Sequence, residues 1–117
     1  MAMDRTALFV YGTLMADDCV LAVTGRRFPR QAAVLEGYTR IAPAGGYPYI
    51  VEEPGDRVTG SLLSGIDGAA LARLDRYEDE GRLYLRRSVE VLCGQRRVAC
   101  QTYVGNLPML RQAFAHR

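Results

Sequence analysis

The sequence predicts an α+β fold, a small mixed and mostly antiparallel β-barrel of five to six strands with two to three flanking short helices. Short apolar runs and segments of period-two alternation outnumber the segments of helical periodicity, which indicates that strands dominate. Isolated glycines such as Gly37 and Gly60 interrupt the longest strands, as the bends and bulges of a closing barrel require. At 117 residues, the chain is expected to form one domain over residues 1–117.

Glycine and proline divide the N-terminal half of the chain into its elements. Asp17 begins a short helix, because aspartate is a good N-cap, and Gly25 ends it at a C′ position. Residues 43–49 form a loop by composition, and two interpretations of it stay open, a mobile aromatic wall and a plain surface loop. The predicted elements are a strand at Thr6–Tyr11, a helix at Asp17–Val23, strands at Gln31–Ala42 and Tyr49–Glu52, a turn at Glu53–Asp56 and a strand at Val58–Ile66.

The C-terminal half predicts a helix, a hairpin and a second helix. Asp67 is placed to cap the first helix, and Gly94-Gln95 suits a two-residue hairpin turn with glycine first. Pro108 suits the first turn of the terminal helix. The predicted elements are a helix from Asp67 to about Tyr77 or Glu78, strands at Arg82–Leu92 and Arg96–Val104, and a helix at Leu107–Ala115.

Composition excludes several classes of function. The net charge is +2, and the fifteen basic residues are all arginines that form no basic stripe interleaved with aromatic residues. Nucleic-acid binding is therefore not expected. The sequence has no apolar run long enough to span a membrane and no signal-peptide pattern, so we expect a soluble, cytoplasmic protein without a membrane partner.

The cysteines and the histidine limit the available chemistry. Cys19, Cys93 and Cys100 are odd in number and lack C-x-x-C spacing, which predicts neither a zinc site nor a disulfide framework. His116 is the only histidine and stands one residue from the C-terminus, where chains fray. A Ser–His or Cys–His catalytic pair is therefore not expected, and an enzyme of this sequence must move protons with carboxylates or tyrosines. We expect no metal site.

The stretch Leu8–Met15 predicts a buried strand that breaks at a glycine and leads toward a helix start. Gly12 allows the backbone to approach a ligand closely, and the N–H groups of the following loop lack partners. This geometry suits binding of an anion such as a carboxylate. The stretch lacks the further glycines and the lysine of a nucleotide phosphate loop, and an ordinary strand-to-loop turn is the alternative interpretation.

Glu78 is the candidate acid–base residue. At 3.6 residues per turn it shares one helix face with Leu71 and Leu74, and Asp75 lies at the margin of that face. Burial of this carboxyl would raise its pKa, and the neighbouring acids would raise it further, toward the value that acid–base catalysis at neutral pH requires. In the alternative interpretation the helix ends before Glu78 and the side chain turns to solvent.

Tyrosines form the second group of candidate residues. Tyr11, Tyr84 and Tyr103 lie on or at the ends of predicted strands. Their hydroxyl groups could line a cavity and offer hydrogen bonds to a ligand. Ordinary packing with a tethered hydroxyl is the alternative interpretation.

Four stretches together resemble the small gamma-glutamylcyclotransferase-like proteins, which include the avirulence-induced-gene and gamma-glutamylamine cyclotransferase branches. The order and spacing of these stretches cover nearly the whole chain. The resemblance implies a small mixed barrel with flanking helices. The matching stretches are Phe9–Leu14, Gly46-Tyr47-Pro48, Leu74–Glu78 followed by Tyr84-Leu85-Arg86, and Thr102-Tyr103-Val104.

The resemblance also implies an activity, the release of 5-oxoproline from a gamma-glutamyl amine or amide. The substrate's own α-amine attacks its γ-carbonyl, so that no protein nucleophile or cofactor is needed. Glu78 corresponds to the catalytic acid–base of the family. The residues that correspond to its substrate-binding loop and cavity wall are Tyr11, Gly12, Thr13, Leu14, Tyr84 and Tyr103.

Two alternatives from other classes stay open. One is a non-catalytic module that binds a small carboxylated metabolite in the same cavity. The other is a structural homodimer with a vestigial pocket, for which we expect a filled cavity behind Tyr11 and an ion pair between Glu78 and an arginine such as Arg86. The site can therefore be tested by asking whether Glu78 and the backbone of Gly12-Thr13 line one common cavity.

Overall fold

A computed structural model describes residues 5–115, with side chains described as far as Arg111, and His116 lies outside the described residues. This part of the chain contains five strands and three α-helices, which confirms the predicted α+β class. A single 3-10 turn at Thr13–Met15 follows the first strand. The elements are β1 (Thr6–Val10), α1 (Asp17–Thr24), β2 (Arg30–Ile41), β3 (Tyr49–Ile66), α2 (Gly68–Tyr77), β4 (Tyr84–Cys93), β5 (Arg96–Gly105) and α3 (Leu107–Ala115).

The five strands form one sheet in the order β1-β3-β2-β4-β5. Neighbouring strands are antiparallel, except that β1 pairs in parallel with β5 and thereby closes the sheet into a barrel. The hairpin between β4 and β5 turns at Gly94, whose φ of 63° is the left-handed conformation that a tight hairpin turn needs. Closure places the end of β1 between β3 and β5, which is where the candidate loop begins.

The long strand β3 corrects one prediction. The prediction that a turn at Glu53–Asp56 separates two strands was wrong. β3 is a single strand that pairs with β2 both before and after this segment. The segment bulges out opposite Gly37, and both Gly37 and Gly55 adopt positive φ, at 85° and 89°. Since a wide bulge and a chain reversal use the same glycine and proline residues, their composition did not distinguish the two.

The sheet is buried on both faces in β1. Leu8 and Val10 belong to a cluster that packs the outer face of the sheet against α1 and α2, whereas Phe9 belongs to a cluster made of strand residues. Alternation along a strand sends successive side chains to opposite faces, so the second cluster fills the space that the sheet encloses. Its members are Phe9, Tyr11, Ala33, Leu35, Ile50, Val58, Leu62, Val91 and Cys100.

The caps predicted at Asp67 and Gly25 are confirmed, whereas the N-cap predicted at Asp17 was wrong. Ala16 is the N-cap of α1 and makes no side-chain hydrogen bond, and the helix ends at Thr24, one residue later than predicted. The Asp67 side chain accepts a 2.9 Å hydrogen bond from the backbone N–H of Ala70, which caps α2, and Gly25 ends α1 with a φ of 80°. None of the helices in the described part of the chain is long and apolar enough to cross a membrane. Because α2 packs Leu74 fully into the outer cluster, the residue one turn later is carried toward the sheet.

Candidate active site

A cavity of about 180 Å³ opens where β1 ends. The loop after β1, the end of α2, the segment before β3 and the strands β4 and β5 all contribute to its wall. Every residue that the sequence analysis proposed for the site lies on this wall, and the roles assigned to these residues stay predictions. They are Tyr11, Gly12, Thr13, Leu14, Glu78, Tyr84 and Tyr103.

The loop after β1 presents backbone donors. The N–H of Met15 donates to the Gly12 carbonyl at 3.0 Å, and the N–H of Ala16 donates to the Thr13 carbonyl at 3.1 Å. Within residues 5–111, nothing accepts a hydrogen bond from the N–H groups of Gly12, Thr13 and Leu14. Consecutive free N–H groups beside a cavity can bind a carboxylate or an oxyanion.

Space around Gly12 is tight. A Cβ at this position would lie 3.3 Å from Cγ of Pro48, which also lines the cavity. A side chain here would therefore press on the wall and narrow the cavity. The glycine thus keeps the backbone of the loop open to a ligand.

Glu78 stands directly after the last residue of α2. Its N–H donates to the Leu74 carbonyl at 2.9 Å, which completes the helix, and its half-buried side chain lies on the cavity wall. Burial raises the pKa of this carboxyl from 4.5 to about 7. No side chain in the described part of the chain forms an ion pair or a hydrogen bond with the carboxylate. A carboxyl of this kind can exchange a proton with a ligand near neutral pH.

The expected contribution of neighbouring acids to the pKa of Glu78 was wrong, since burial alone accounts for the rise. Asp79 pairs with Arg82 at 2.6 Å, and Asp75 pairs with Arg86 at 2.9 Å. Arginine partners thus compensate the charges of the nearest acids.

The backbone at the end of α2 makes a tight reversal that places Glu78. The N–H groups of Asp79 and Glu80 donate back to the carbonyls of Arg76 and Asp75, at 3.2 and 2.9 Å. This is the Schellman pattern, in which the residue after the cap is left-handed and usually glycine. Asp79 fills that position with a φ of 56°. The reversal ends the helix at Glu78 and directs the chain into β4.

A polar network holds α2 against the strands below it. Arg86 of β4 contacts Asp75 of α2 with two nitrogens, at 2.9 and 3.2 Å, and the Tyr103 hydroxyl donates to the same carboxylate at 2.6 Å. Arg86 therefore pairs with Asp75 and not with Glu78, contrary to the ion pair expected for a vestigial pocket. Sequence reasoning missed this pair, although both residues lie in the stretches that carry the family resemblance.

Replacing Arg86 by alanine is expected to destabilise the protein by about 1–2 kcal/mol, because Asp75 keeps a partly buried charge without its bidentate partner. The change is measurable as a lower urea midpoint at constant slope. Arg87→Ala is the matched control, since the exposed Arg87 side chain makes only a 3.3 Å contact with a backbone carbonyl. Equal midpoints for the two variants would contradict the importance of the network.

The hydroxyl groups of the predicted tyrosines are used within the protein. Tyr11 donates to the carbonyl of Tyr103 at 2.5 Å, and Tyr84 donates to the carbonyl of Pro48 at 2.8 Å. Burial raises the pKa of Tyr11, Tyr84 and Tyr103, so all three stay neutral. These side chains shape the cavity as neutral aromatic walls.

Two further tyrosines, Tyr47 and Tyr77, lie on the cavity wall. Sequence reasoning considered Tyr47 only as part of the loop at residues 43–49 and assigned no role to Tyr77. Tyr47 is 73% exposed and Tyr77 is 45% exposed, so both lie at the mouth. The position of Tyr47 favours the interpretation of residues 43–49 as an aromatic wall over that of a plain surface loop. Tyr77 falls outside the apolar stripe of α2, which is why the helical pattern did not single it out.

A family model and individual relatives both place the chain in the same protein family. The family model described as "Gamma-glutamyl cyclotransferase, AIG2-like" matches residues 8–115. AIG2-like protein D of Arabidopsis thaliana is 36% identical over 102 residues, which cover 84% of this chain and 66% of that protein. AIG2-like protein C of the same plant is 35% identical over 100 residues, covering 83% of this chain and 57% of its own length. The chain thus spans less than two thirds of the length of these curated relatives.

Solved structures share the fold. A solution structure from Arabidopsis thaliana superposes with a TM-score of 0.77 at 26% identity, covering 99% of this chain and 79% of the other. A structure named gamma-glutamyl cyclotransferase gives a TM-score of 0.76 at 19% identity, over 88% of this chain and 68% of the other. An AIG2-like protein of Mus musculus gives 0.72 at 24% identity, over 87% and 78%. The last two likenesses concern the fold alone.

Proposed function

The chain belongs to the gamma-glutamyl cyclotransferase, AIG2-like family, and on this premise we propose that it is a cofactor-independent cyclotransferase that releases 5-oxoproline from a gamma-glutamyl amine or amide. One observation carries the proposal: Glu78 and the loop at Gly12–Leu14 line the same cavity. A carboxyl that titrates near neutrality and a set of free amide donors are the two parts that this reaction requires.

The reaction follows from the chemistry of a gamma-glutamyl group. The Glu78 carboxylate accepts a proton from the substrate's α-ammonium, and the freed amine attacks the γ-carbonyl carbon. A carbon–nitrogen bond then forms within the glutamyl group and closes the five-membered ring. The bond from the same carbon to the leaving amine breaks as Glu78 returns the proton to the leaving nitrogen. Glu78 then accepts the second proton of the ring nitrogen and passes it to the released amine, which leaves as an ammonium ion. Atoms and charge balance without a further reactant.

The loop at Gly12–Leu14 supplies binding and orientation. Its N–H groups can hold the substrate's carboxylate or the oxygen that gains negative charge during attack. Holding the chain folded matters because the reaction is intramolecular, and correct alignment of the amine and carbonyl removes much of the barrier. The buried, neutral rings of Tyr84 and Tyr103 form part of the wall beside the reacting groups.

The pH dependence of the reaction tests the role of Glu78. Since the base must be ionised to accept a proton and its pKa is about 7, we expect kcat/KM to increase with pH and to level off above about 7. The measurement is release of 5-oxoproline from gamma-glutamyl amines between about pH 5 and pH 9. A rate that has already levelled off near the ordinary carboxyl pKa of 4.5 would argue against Glu78 as the base.

A further inference from the structure

Tyr77 joins the two halves of the candidate site through its hydroxyl group. The hydroxyl lies 2.9 Å from Oγ1 of Thr13 and 3.5 Å from Sγ of Cys19. Tyr77 is the last residue of α2 and directly precedes Glu78, whereas Thr13 belongs to the loop of amide donors. One side chain therefore connects the segment that carries the acid with the loop that carries the donors.

We propose that Tyr77 is a positioning residue, whose hydroxyl tethers the loop at Gly12–Leu14 to the end of α2 and keeps the amide donors at a constant separation from Glu78. This inference rests on the proposed function for its catalytic meaning. The tether itself is a property of the fold and can be measured without any substrate.

The loop has few other ties to α2. Across residues 5–111, the contact between Thr13 and Tyr77 is the one side-chain hydrogen bond that joins the loop to this helix. Arg30 donates to the Met15 carbonyl at 2.5 Å and so holds the end of the loop to β2, whereas Leu14 packs in the outer cluster, which also includes Leu74 of α2. Without the tyrosine hydroxyl, only this apolar packing, which has no preferred direction, limits shifts of the loop relative to Glu78.

Such a shift matters because catalysis by alignment depends steeply on distance. A displacement of about 1 Å can reduce a rate about a hundredfold, and one hydrogen bond between partly exposed hydroxyls prevents only part of that displacement. The contact also fixes the position of the Thr13 side chain, which lines the cavity.

The test removes the hydroxyl and keeps the ring. For Tyr77→Phe we expect kcat to decrease about three- to tenfold with little change in KM, since an aligning contact acts on the reacting geometry rather than on uniform binding. Thr13→Val is expected to reduce kcat as well. Because both changes break the same contact, the double variant should lose no more than the larger of the single losses.

Tyr38→Phe is the matched control. Tyr38 is a half-buried tyrosine on β2 that lies outside the wall of the candidate site, and its replacement should leave kcat unchanged. A decrease in kcat for Tyr77→Phe that Tyr38→Phe reproduces would overturn the proposal, because loss of any tyrosine hydroxyl would then have the same effect.

Hydrogen exchange supplies a measurement that needs no activity. The amides of Met15 and Ala16 close the 3-10 turn of the loop, so their exchange reports its opening. We expect about three- to tenfold faster exchange in Tyr77→Phe than in the wild type. If Tyr77→Phe exchanges faster than the wild type and the wild type shows no turnover, the tether is supported and the proposed function is refuted. Unchanged exchange, or unchanged kcat in an active protein, would overturn the inference.

Discussion

Glu78→Gln is expected to lower the release of 5-oxoproline about a thousandfold, because glutamine keeps the shape of the side chain but cannot accept a proton. The wild-type carboxylate is the only proton acceptor near neutral pH that this mechanism uses. The measurement is kcat/KM at a pH above about 7, where the wild-type carboxyl is ionised.

The same substitution should increase the stability of the protein. The pKa of Glu78 is raised from 4.5 to about 7 in the folded state, so between these values the folded protein binds more protons than the unfolded chain. Stability that is fully present below about pH 4.5 is therefore lost as the pH rises through 7. At pH 8, Glu78→Gln should be more stable than the wild type by up to about 3 kcal/mol, and the difference should vanish at low pH.

Loss of activity together with a gain in stability is the signature of a site residue. Glu80→Gln is the matched control, because Glu80 is an exposed carboxylate two residues away that does not line the cavity. It should retain both the activity and the stability of the wild type. Full turnover in Glu78→Gln would end the assignment. Tight binding of 5-oxoproline by a wild-type protein without turnover would favour the non-catalytic binding module.

Local patterns predicted the part of the site that depends on local geometry. The helix face that includes Leu71 and Leu74 follows from a period of 3.6 residues, and it placed Glu78 correctly against the sheet. Asp67 predicted where that helix begins, because an aspartate side chain accepts a hydrogen bond from a free N–H group in the first turn. The break at Gly12 predicted the loop. These features need only a few neighbouring residues to be interpreted.

Contacts between distant segments could not be predicted in this way. The partner of Arg86 depends on how α2 lies across β4, and the period-two pattern of β4 contains no information about that angle. Tyr77 and Thr13 are 64 positions apart and meet only after the barrel closes. The bulge at Glu53–Asp56 differs from a turn only in whether the chain continues along β2, which is again a matter of tertiary pairing.

Gly60→Ala is expected to destabilise the protein by about 3 kcal/mol, the largest effect on folding that we expect from a single methyl group. A Cβ on Gly60 would lie 2.3 Å from the carbonyl oxygen of Val10 and 2.9 Å from Cζ of Phe9. Phe9 is fully buried inside the barrel and cannot move aside. The carbonyl oxygen cannot yield either, since β1 is paired on both sides, with β3 and with β5.

Gly68→Ala is the matched control, because it adds the same methyl group at a position where no other atoms are close. Gly68 is the first residue of α2, and a Cβ there would meet no heavy atom within 4 Å. Alanine should stabilise the helix by about 0.5–1 kcal/mol, because it restricts the unfolded chain and favours helix. Urea midpoints of the two variants should therefore move in opposite directions.

A Gly60→Ala midpoint equal to that of the wild type would mean that β1 can shift within the barrel. The end of β1 would then not hold the Gly12 loop in one position. The distance between the N–H groups of this loop and Glu78 would then be set by the bound ligand rather than by the fold.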